Sequence, residues 1–558
     1  MEKPWLRFYE SSVGASLRYP EQPLYQFLTD SASRYPHQTA LLFYGREIPY
    51  QELDDLSNRF ANALRQFGIQ KGDRVAIMLP NSPQGVIGFY GALKTGAIVV
   101  QFNPLYVERE IEFQLIDSGA KTMLALDLFY PKIRNVMGKT PLKQIFLTGI
   151  GDYLPSLLRL LYPLKAKREG QWIKVDKKPP LYDFVGLLKK ADPKPFTPDF
   201  KPDDTALFQY TGGTTGQPKG AMLTHRNLVC NAIQAATWTG MREKSEVVLS
   251  VIPFFHSYGL TACLNSTIYR AGTLVLLPRF QTQDVLKSIQ KYRPTLFPGI
   301  QAMYVAINNF PRVDRYDLSS IRACISGAGP LHLEVQERFE SLTGGKIVEG
   351  YGLTEASPVT HANPVHGKRK KGSIGLPFPD TDAKVVDLET GERELPVGET
   401  GELAIRGPQV MKGYWNRSEK ENREMLRDGW LYTGDITRMD EDGFFYIVDR
   451  KKDMIKTRGE NVYPREVEEV LYRHPKVKEA VVAGIPESFS VEVIKAYVVL
   501  KEGEQATEEE IQEFCRRELA RFKVPKYVEF RKDLPKTIVG KVLRRILVEE
   551  EKKKKADV

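Results

Sequence analysis

ALFQYTGGTTGQPKGAML, residues 206–223, is the stretch whose reading decides the fold. An apolar strand ending at Gln209 and Tyr210 runs into four glycines, three threonines and one lysine between residues 211 and 220. Glycine lets backbone N–H groups approach and wrap an anion. The threonine hydroxyls add donors and Lys219 adds a fixed charge, so the composition is that of a polyphosphate cradle. It is not a P-loop of the form G-x-x-x-x-G-K-[ST], because Pro218 precedes Lys219. Residues 221–223 read as extended, and a helix starts only near Thr224. A loop between two extended segments suits a lid over phosphates better than a helix-dipole cradle. A Gly/Thr surface turn is the plainer alternative, but turn chemistry does not call for this density.

Outward from that loop, amphipathic helices alternate with short apolar strands. Residues 50–67 place Leu53, Leu56, Phe60 and Leu64 on one helical face. Residues 74–80 (RVAIMLP) and 97–101 then read as buried strands, and 273–278 as another. Interleaved helices and apolar strands predict an α/β fold with much parallel sheet. Residues 153–168 (YLPSLLRLLYPLKAKR) are leucine-rich and run into basic residues; Pro155 and Pro163 should limit any helix there to about two turns. Its plainer reading is an amphipathic core helix. Its other reading is an interfacial segment, leucines down and Arg159, Lys165, Lys167 and Arg168 towards anionic headgroups.

Beyond Arg450 the pattern becomes that of a compact α+β unit: a helix over 464–474, strands over 480–484 and 495–500, and a helix over 507–519 opened by the Thr507–Glu510 capping box. The closing EEEKKKKADV reads as a frayed tail. The expected fold is therefore α/β: a large N-terminal region of several subdomains, with layered sheets and helices (1–449), a hinge (450–452), and a small mobile α+β C-terminal domain (453–558).

The 558-residue length permits several domains. With 42% hydrophobic and 27% charged residues, collagen-like, mucin-like and wholly disordered chains are excluded. Cys230, Cys263, Cys324 and Cys515 form no C-x-x-C pair, so a disulfide framework or zinc ribbon is not expected and a reducing compartment is. No apolar run reaches the ~18–20 residues of a membrane span, and MEKPWLRFYE has no apolar signal core. The net charge of +10 suits anionic partners. No nucleic-acid recognition motif accompanies it.

Further segments resemble, in family order, the motifs of adenylate-forming enzymes, the family of acyl-CoA synthetases, luciferases and peptide-synthetase adenylation domains. They are YTGGTTGQPKG (210–220), EGYGLTE (349–355), GELAIRG (401–407), GWLYTGD (429–435), DRKK (449–452) and PKTIVGK (535–541). The resemblance covers residues 25–548 and is strongest to the bacterial long-chain fatty-acid–CoA ligases, through Gly213, KGAMLTHRN, DRKKDMI and NVYPREVEEVL.

The resemblance implies ATP-dependent ligation of a long-chain fatty acid to coenzyme A through an acyl-adenylate, releasing pyrophosphate and AMP, with Mg2+ as cofactor. It implies that Tyr210, Thr211, Gly212, Gly213, Thr214, Thr215, Gly216, Gln217, Pro218, Lys219 and Gly220 hold the phosphates. Glu355, with Thr214, would hold magnesium, and Thr354 would lie beside the phosphates. Gly327, Ala328 and Gly329, with Glu349, Gly350, Tyr351 and Gly352, resemble the adenine slot, the Tyr351 ring stacking on the base. Asp435 and Arg450 would hold the ribose, Lys541 would act in adenylation, and Lys452 would be the hinge. Residues 458–461, with Gly459, would then line the pantetheine channel. His256 would sit at the mouth of the acyl pocket, with Trp238 and residues 299–303 shaping the chain tunnel.

Read alone, Lys541 is a solvated lysine, Arg450 a surface ion pair, Glu355 a helix-start charge and Asp435 a turn residue. His361 and His366 read as loop residues. The expected setting is the cytoplasm, with peripheral contact at the inner face of the cell membrane, and the expected assembly a homodimer. Rival readings are a ligase for medium-chain or aromatic acids, and a non-catalytic lipid- or nucleotide-binding relative.

Overall fold

The helix expected over 50–67 forms as Tyr50–Gln66, and Leu53, Phe60 and Leu64 along its stripe are fully buried. Each such side chain contributes roughly 1.5–3 kcal/mol by leaving water. The strand Arg74–Met78 follows, and then the helix Pro83–Lys94, whose first turn is capped by Ser82 accepting from the Gly85 N–H at 3.3 Å. The computed structural model describes residues 3–170, 172–211, 218–457, 460–488, 491–536 and 542–556.

The central element is an eight-stranded sheet. Six strands run parallel, in the spatial order Leu181–Asp183, Gln144–Thr148, Thr122–Leu126, Arg74–Met78, Ile98–Gln101 and Thr205–Thr211. Lys219–Thr224 and then Gly413–Tyr414 add on antiparallel. The parallel strands are buried on both faces, which explains why they read as unbroken apolar runs. Two four-stranded sheets, bridged to each other in parallel through Leu296, form a second layer. A five-stranded antiparallel sheet carries Thr400–Arg406, Trp430–Met439 and Phe445–Arg450. All four cysteines are buried and unpaired.

The C-terminal part is built on the three-stranded sheet Val477–Ser488, Val491–Leu500 and Tyr527–Phe530. It has its own core: Val467, Val470, Leu471, Ile494, Ile511 and Cys515 pack on one side. Tyr497, Leu534 and Leu547 pack on the other. Helices Pro464–Arg473 and Glu508–Glu518 stand where expected. Thr507 caps the second by accepting from the Glu510 N–H at 3.2 Å. The Glu510 carboxylate pairs with Lys476 at 2.7 Å, so it does not complete the capping box.

Three further expectations are corrected. The charged end is not a frayed tail as far as Ala556: Arg544–Ala556 is a helix that buries Leu547 and sets Glu551 3.0 Å from Lys495. Tertiary burial overrides a charge run that would otherwise be solvated. The leucine-rich segment is a helix over Ser156–Arg168 that passes through Pro163, and of its residues only Ala166 is buried, so it is not a core helix. His361 is no loop residue. It lies fully buried in the strand Val359–Ala362, edge-on to Phe445 at 4.9 Å, whereas His366 is exposed.

Candidate active site

The hairpin expected to hold phosphates leaves the parallel strand Thr205–Thr211 at the carboxyl edge of the sheet, which is where α/β sheets present ligands, and returns as Lys219–Thr224. Tyr210 pairs with Gly220 and Thr211 with Lys219. Gly212, Gly213, Thr214, Thr215, Gly216 and Gln217 lie outside the described residues. The base of the hairpin is clamped from behind. The Tyr210 hydroxyl donates to Asp117 Oδ2 at 2.6 Å. Trp415 donates its indole N–H to the Asp117 carbonyl at 2.8 Å and its backbone N–H to the Gly220 carbonyl at 2.8 Å. Burial, reinforced by the charge of Asp117, raises the Tyr210 phenol far above its ordinary range and keeps it a donor. Gly220 packs closely on this clamp: a Cβ there would stand 3.1 Å from the Tyr210 ring.

Glu355 follows the strand Lys346–Gly352 in a short 3-10 turn, Thr354–Ala356, and is 8% exposed. Tyr414 donates its hydroxyl to Glu355 Oε1 at 2.5 Å, and the Lys219 ammonium lies 5.2 Å from the centre of the Tyr414 ring. One aromatic ring therefore links the acid and the cation expected to share a phosphate chain. Thr354 Oγ1 is 3.4 Å from Ser257 Oγ, and Gln209 donates to the Phe255 carbonyl at 2.7 Å. These contacts bring PFFHSYG (253–259), with half-buried His256, against the end of the hairpin strand. The Tyr258 N–H donates to His256 Nδ1 at 3.2 Å.

Asp435 and Arg450 are direct cross-strand partners, with Arg450 Nε 3.1 Å from Asp435 Oδ1. Tyr351 donates its hydroxyl to Asp435 Oδ2 at 2.6 Å. Burial and the charge of Asp435 hold the Tyr351 phenol well above its ordinary range. Glu402, inside GELAIRG, braces this group by accepting from the Gly434 N–H at 3.0 Å and pairing with Lys451 at 2.8 Å. The Gly327–Gly329 segment follows the strand Ala323–Ser326; Ala328 adopts φ 64° and is exposed. Gly352 cannot be replaced, since a Cβ would lie 2.1 Å from the Pro358 carbonyl oxygen. Burial raises the Glu349 carboxyl to about 7, against the opposing pull of Arg465 and the Leu331 N–H.

Arg465 belongs to the C-terminal part, whose first helix meets the large region here. Its backbone N–H donates to Asp449 Oδ2 at 2.7 Å. Lys452 is exposed in the turn after Arg450, and the next residue, Asp453, pairs with Arg544 at 2.8 Å. Lys541 and Gly459 lie outside the described residues. The flanks of the lysine segment pair with each other, the Leu543 N–H donating to the Pro535 carbonyl at 2.8 Å. Trp238 is a core residue, stacked on Phe378 at 4.9 Å and donating to the Asn363 carbonyl at 3.1 Å.

The structure thus gathers Tyr210, Lys219, Gly220, Thr354 and Glu355 around the hairpin, and Tyr351, Asp435 and Arg450 beside it. Sequence reasoning missed Asp117, Tyr414 and Trp415. The last two stand in KGYW (412–415), whose glycine followed by two aromatics was a readable signal; Asp117 carried none.

Comparison with known proteins agrees with this geometry. The family model described as "AMP-binding enzyme" matches residues 28–415, and "AMP-binding enzyme C-terminal domain" matches 466–541. A long-chain-fatty-acid–CoA ligase of Bacillus subtilis is 50% identical over 553 residues, covering 99% of this chain and 98% of its own. A Yersinia pestis protein of the same name is 41% identical over 561 residues, covering 99% of each. The crystal structure of ATP-bound MatB from Rhodopseudomonas palustris superposes with a TM-score of 0.84 at 30% identity, covering 96% of this chain and 99% of that one. By residues matched along most of its length, the chain belongs to the AMP-binding enzyme family.

Proposed function

We propose that the protein joins a long-chain fatty acid to coenzyme A in two steps. In the first, a carboxylate oxygen attacks the α-phosphorus of ATP and the bond to the outer two phosphates breaks, giving acyl-adenylate and pyrophosphate. In the second, the coenzyme A thiol attacks the acyl carbonyl, loses its proton, and AMP leaves. The observation that carries this reading is the Glu355–Tyr414–Lys219 link beside a glycine–threonine hairpin, with the Asp435–Arg450–Tyr351 group alongside.

In this reading the hairpin and Lys219 hold the outer phosphates, and Asp435 with Arg450 takes the ribose hydroxyls. An ionised carboxylate has lone pairs to spare for both hydroxyls even while Tyr351 and Arg450 occupy one site each. The Tyr351 bond to Asp435 fixes the plane of its ring for stacking on the base. No cluster of three metal-ligating side chains occurs among the described residues. A single buried carboxylate beside phosphates is the donor set of Mg2+, which completes its shell with phosphate oxygens and water. Glu355, with Thr214, would hold that ion, which neutralises phosphate charge when bound.

Lys541 stabilises charge on the α-phosphate and carboxylate oxygens, a contribution of ~2.7–4 kcal/mol for one preorganised donor. Residues 453–558 then rotate about 450–452, withdrawing Lys541 and bringing 458–461 to the thiol channel. The 50% identity to a long-chain ligase supports the long-chain preference. The proposed location is cytoplasmic with peripheral membrane contact, and the proposed assembly a homodimer, which sedimentation velocity tests.

The decisive experiment measures pyrophosphate and AMP release with Mg2+ and ATP across fatty acids of increasing length, with and without coenzyme A. Turnover should rise with chain length, since each buried CH₂ is worth roughly 0.8 kcal/mol. A maximum at medium-chain or aromatic acids would overturn the chain-length assignment, and the absence of AMP with every acid would overturn the ligase.

A further inference from the structure

The helix Ser156–Arg168 turns its apolar side outward. Leu157, Leu160 and Leu164 are 69%, 76% and 63% exposed, and Leu158 and Leu161 are exposed with them. At 3.6 residues per turn, Leu157, Leu160, Leu161 and Leu164 form one stripe. Lys165 and Lys167 flank that stripe and Arg168 closes it. The opposite side holds the helix to the protein: Ala166 is buried, and the Tyr162 ring lies against Gly151, where a Cβ would stand 2.8 Å from it. Burial raises the Tyr162 phenol to about 12, as expected of the anchoring face. Just past the helix, Trp172 is 43% exposed, with the Lys167 ammonium 5.6 Å from its ring centre.

Soluble proteins leave single leucines exposed but seldom a contiguous stripe. The charge around the stripe says what covers it. Residues 156–178 carry seven basic side chains against two acidic ones, and the helix itself carries no acid. An apolar stripe edged by cations matches an anionic lipid surface, where leucines enter the acyl boundary and lysines meet the headgroups.

The topology adds direction. The helix follows the carboxyl end of the strand Gln144–Thr148, and the hairpin follows the carboxyl end of Thr205–Thr211 in the same parallel array. Four inter-strand steps separate them, about 19 Å at ~4.8 Å per step. Between them, after the strand Ile98–Gln101, the connection bearing Leu105 and Val107 is exposed on the same sheet edge. We infer that the leucine stripe of Ser156–Arg168 docks the protein on anionic membrane with the carboxyl edge of the central sheet towards the lipid. This deepens the membrane contact in the proposed function. It needs no turnover for its test, so its failure and that of the ligase reading are separable.

The test is co-sedimentation of the full-length protein, without ATP, with vesicles of phosphatidylcholine alone or mixed with phosphatidylglycerol. The variant Leu157→Ser/Leu160→Ser/Leu164→Ser should lose at least roughly tenfold in partitioning to the mixed vesicles. Lys165→Gln/Lys167→Gln/Arg168→Gln should lose roughly a hundredfold on the mixed vesicles and little on neutral ones, at about fivefold per charge. All substituted side chains are exposed, so the thermal transition should not move. Equal binding by the leucine variant and the parent overturns the inference. So does a parent that ignores vesicles but dissociates from dimer to monomer on the leucine substitutions, which would make the stripe a self-interface.

Discussion

Asp117 touches no expected substrate atom, yet the Tyr210–Asp117 bond behind the phosphate hairpin should be visible in ATP use. Its 2.6 Å length and its charged acceptor place it in the class worth ~1.5–3 kcal/mol. Tyr210→Phe deletes the donor, and Asp117→Asn removes the charge while keeping the shape. Each change leaves the Trp415 contacts with the Asp117 and Gly220 carbonyls in place, so the hairpin loosens without unfolding. Each should lower kcat/KM for ATP by roughly tenfold, about 1.4 kcal/mol, mainly through KM. Because Asp117→Asn keeps an acceptor and weakens the same bond that Tyr210→Phe deletes, the double variant should fall no further than Tyr210→Phe alone. The assay is pyrophosphate release at saturating fatty acid over a range of ATP concentrations. Supplied acyl-adenylate, which lacks the outer phosphates, should still form thioester at the parent rate. A double variant down roughly a hundredfold would mean that the two groups act separately, and the clamp would be wrong.

Lys541→Ala should lose roughly 10²–10³ in acyl-adenylate formation while still turning supplied acyl-adenylate into thioester; equal loss in both half-reactions, measured separately, would misplace the lysine. Lys452→Pro should spare adenylation and slow thioester formation, because a rigid φ at the turn resists domain rotation, and a normal second step would move the hinge elsewhere. Glu349, raised by burial from the ordinary 4.5 to about 7, holds a proton when folded that it releases when unfolded. Stability should therefore fall as pH rises from 4.5 to about 7, by up to about 3 kcal/mol. Glu349→Gln should flatten that slope in denaturant titrations across this range, and an unchanged slope would assign the pH dependence to another group.

Much of the architecture is legible along the chain because it is local. The 3.6-residue stripe of Leu53, Phe60 and Leu64 announces a helix, and the apolar run from Arg74 announces a strand buried on both faces. Thr507 announces a helix start, although its partner Glu510 turns to Lys476, because an ion pair outside the helix competes for the carboxylate. Local rules failed where distant contacts outweigh them. Pro163 costs one helix bond, and the helix continues, held by Tyr162 and Ala166 against the body of the protein. The lysine-rich end is helical because Leu547 and Glu551 find partners on the last sheet.

The same division runs through the site. Composition and spacing alone marked the glycine–threonine hairpin and a separate C-terminal unit, because glycine density, charge and periodicity are properties of consecutive residues, whereas Glu355 and Asp435 stood out only through the family resemblance. Only the tertiary structure decided that Tyr414 joins Glu355 to Lys219, that Asp117 anchors Tyr210, and that a leucine helix faces outward. Each of those pairs or faces depends on segments far apart in the chain, and a hydrogen bond of under 3 Å forms only after the packing of whole sheets has set their separation.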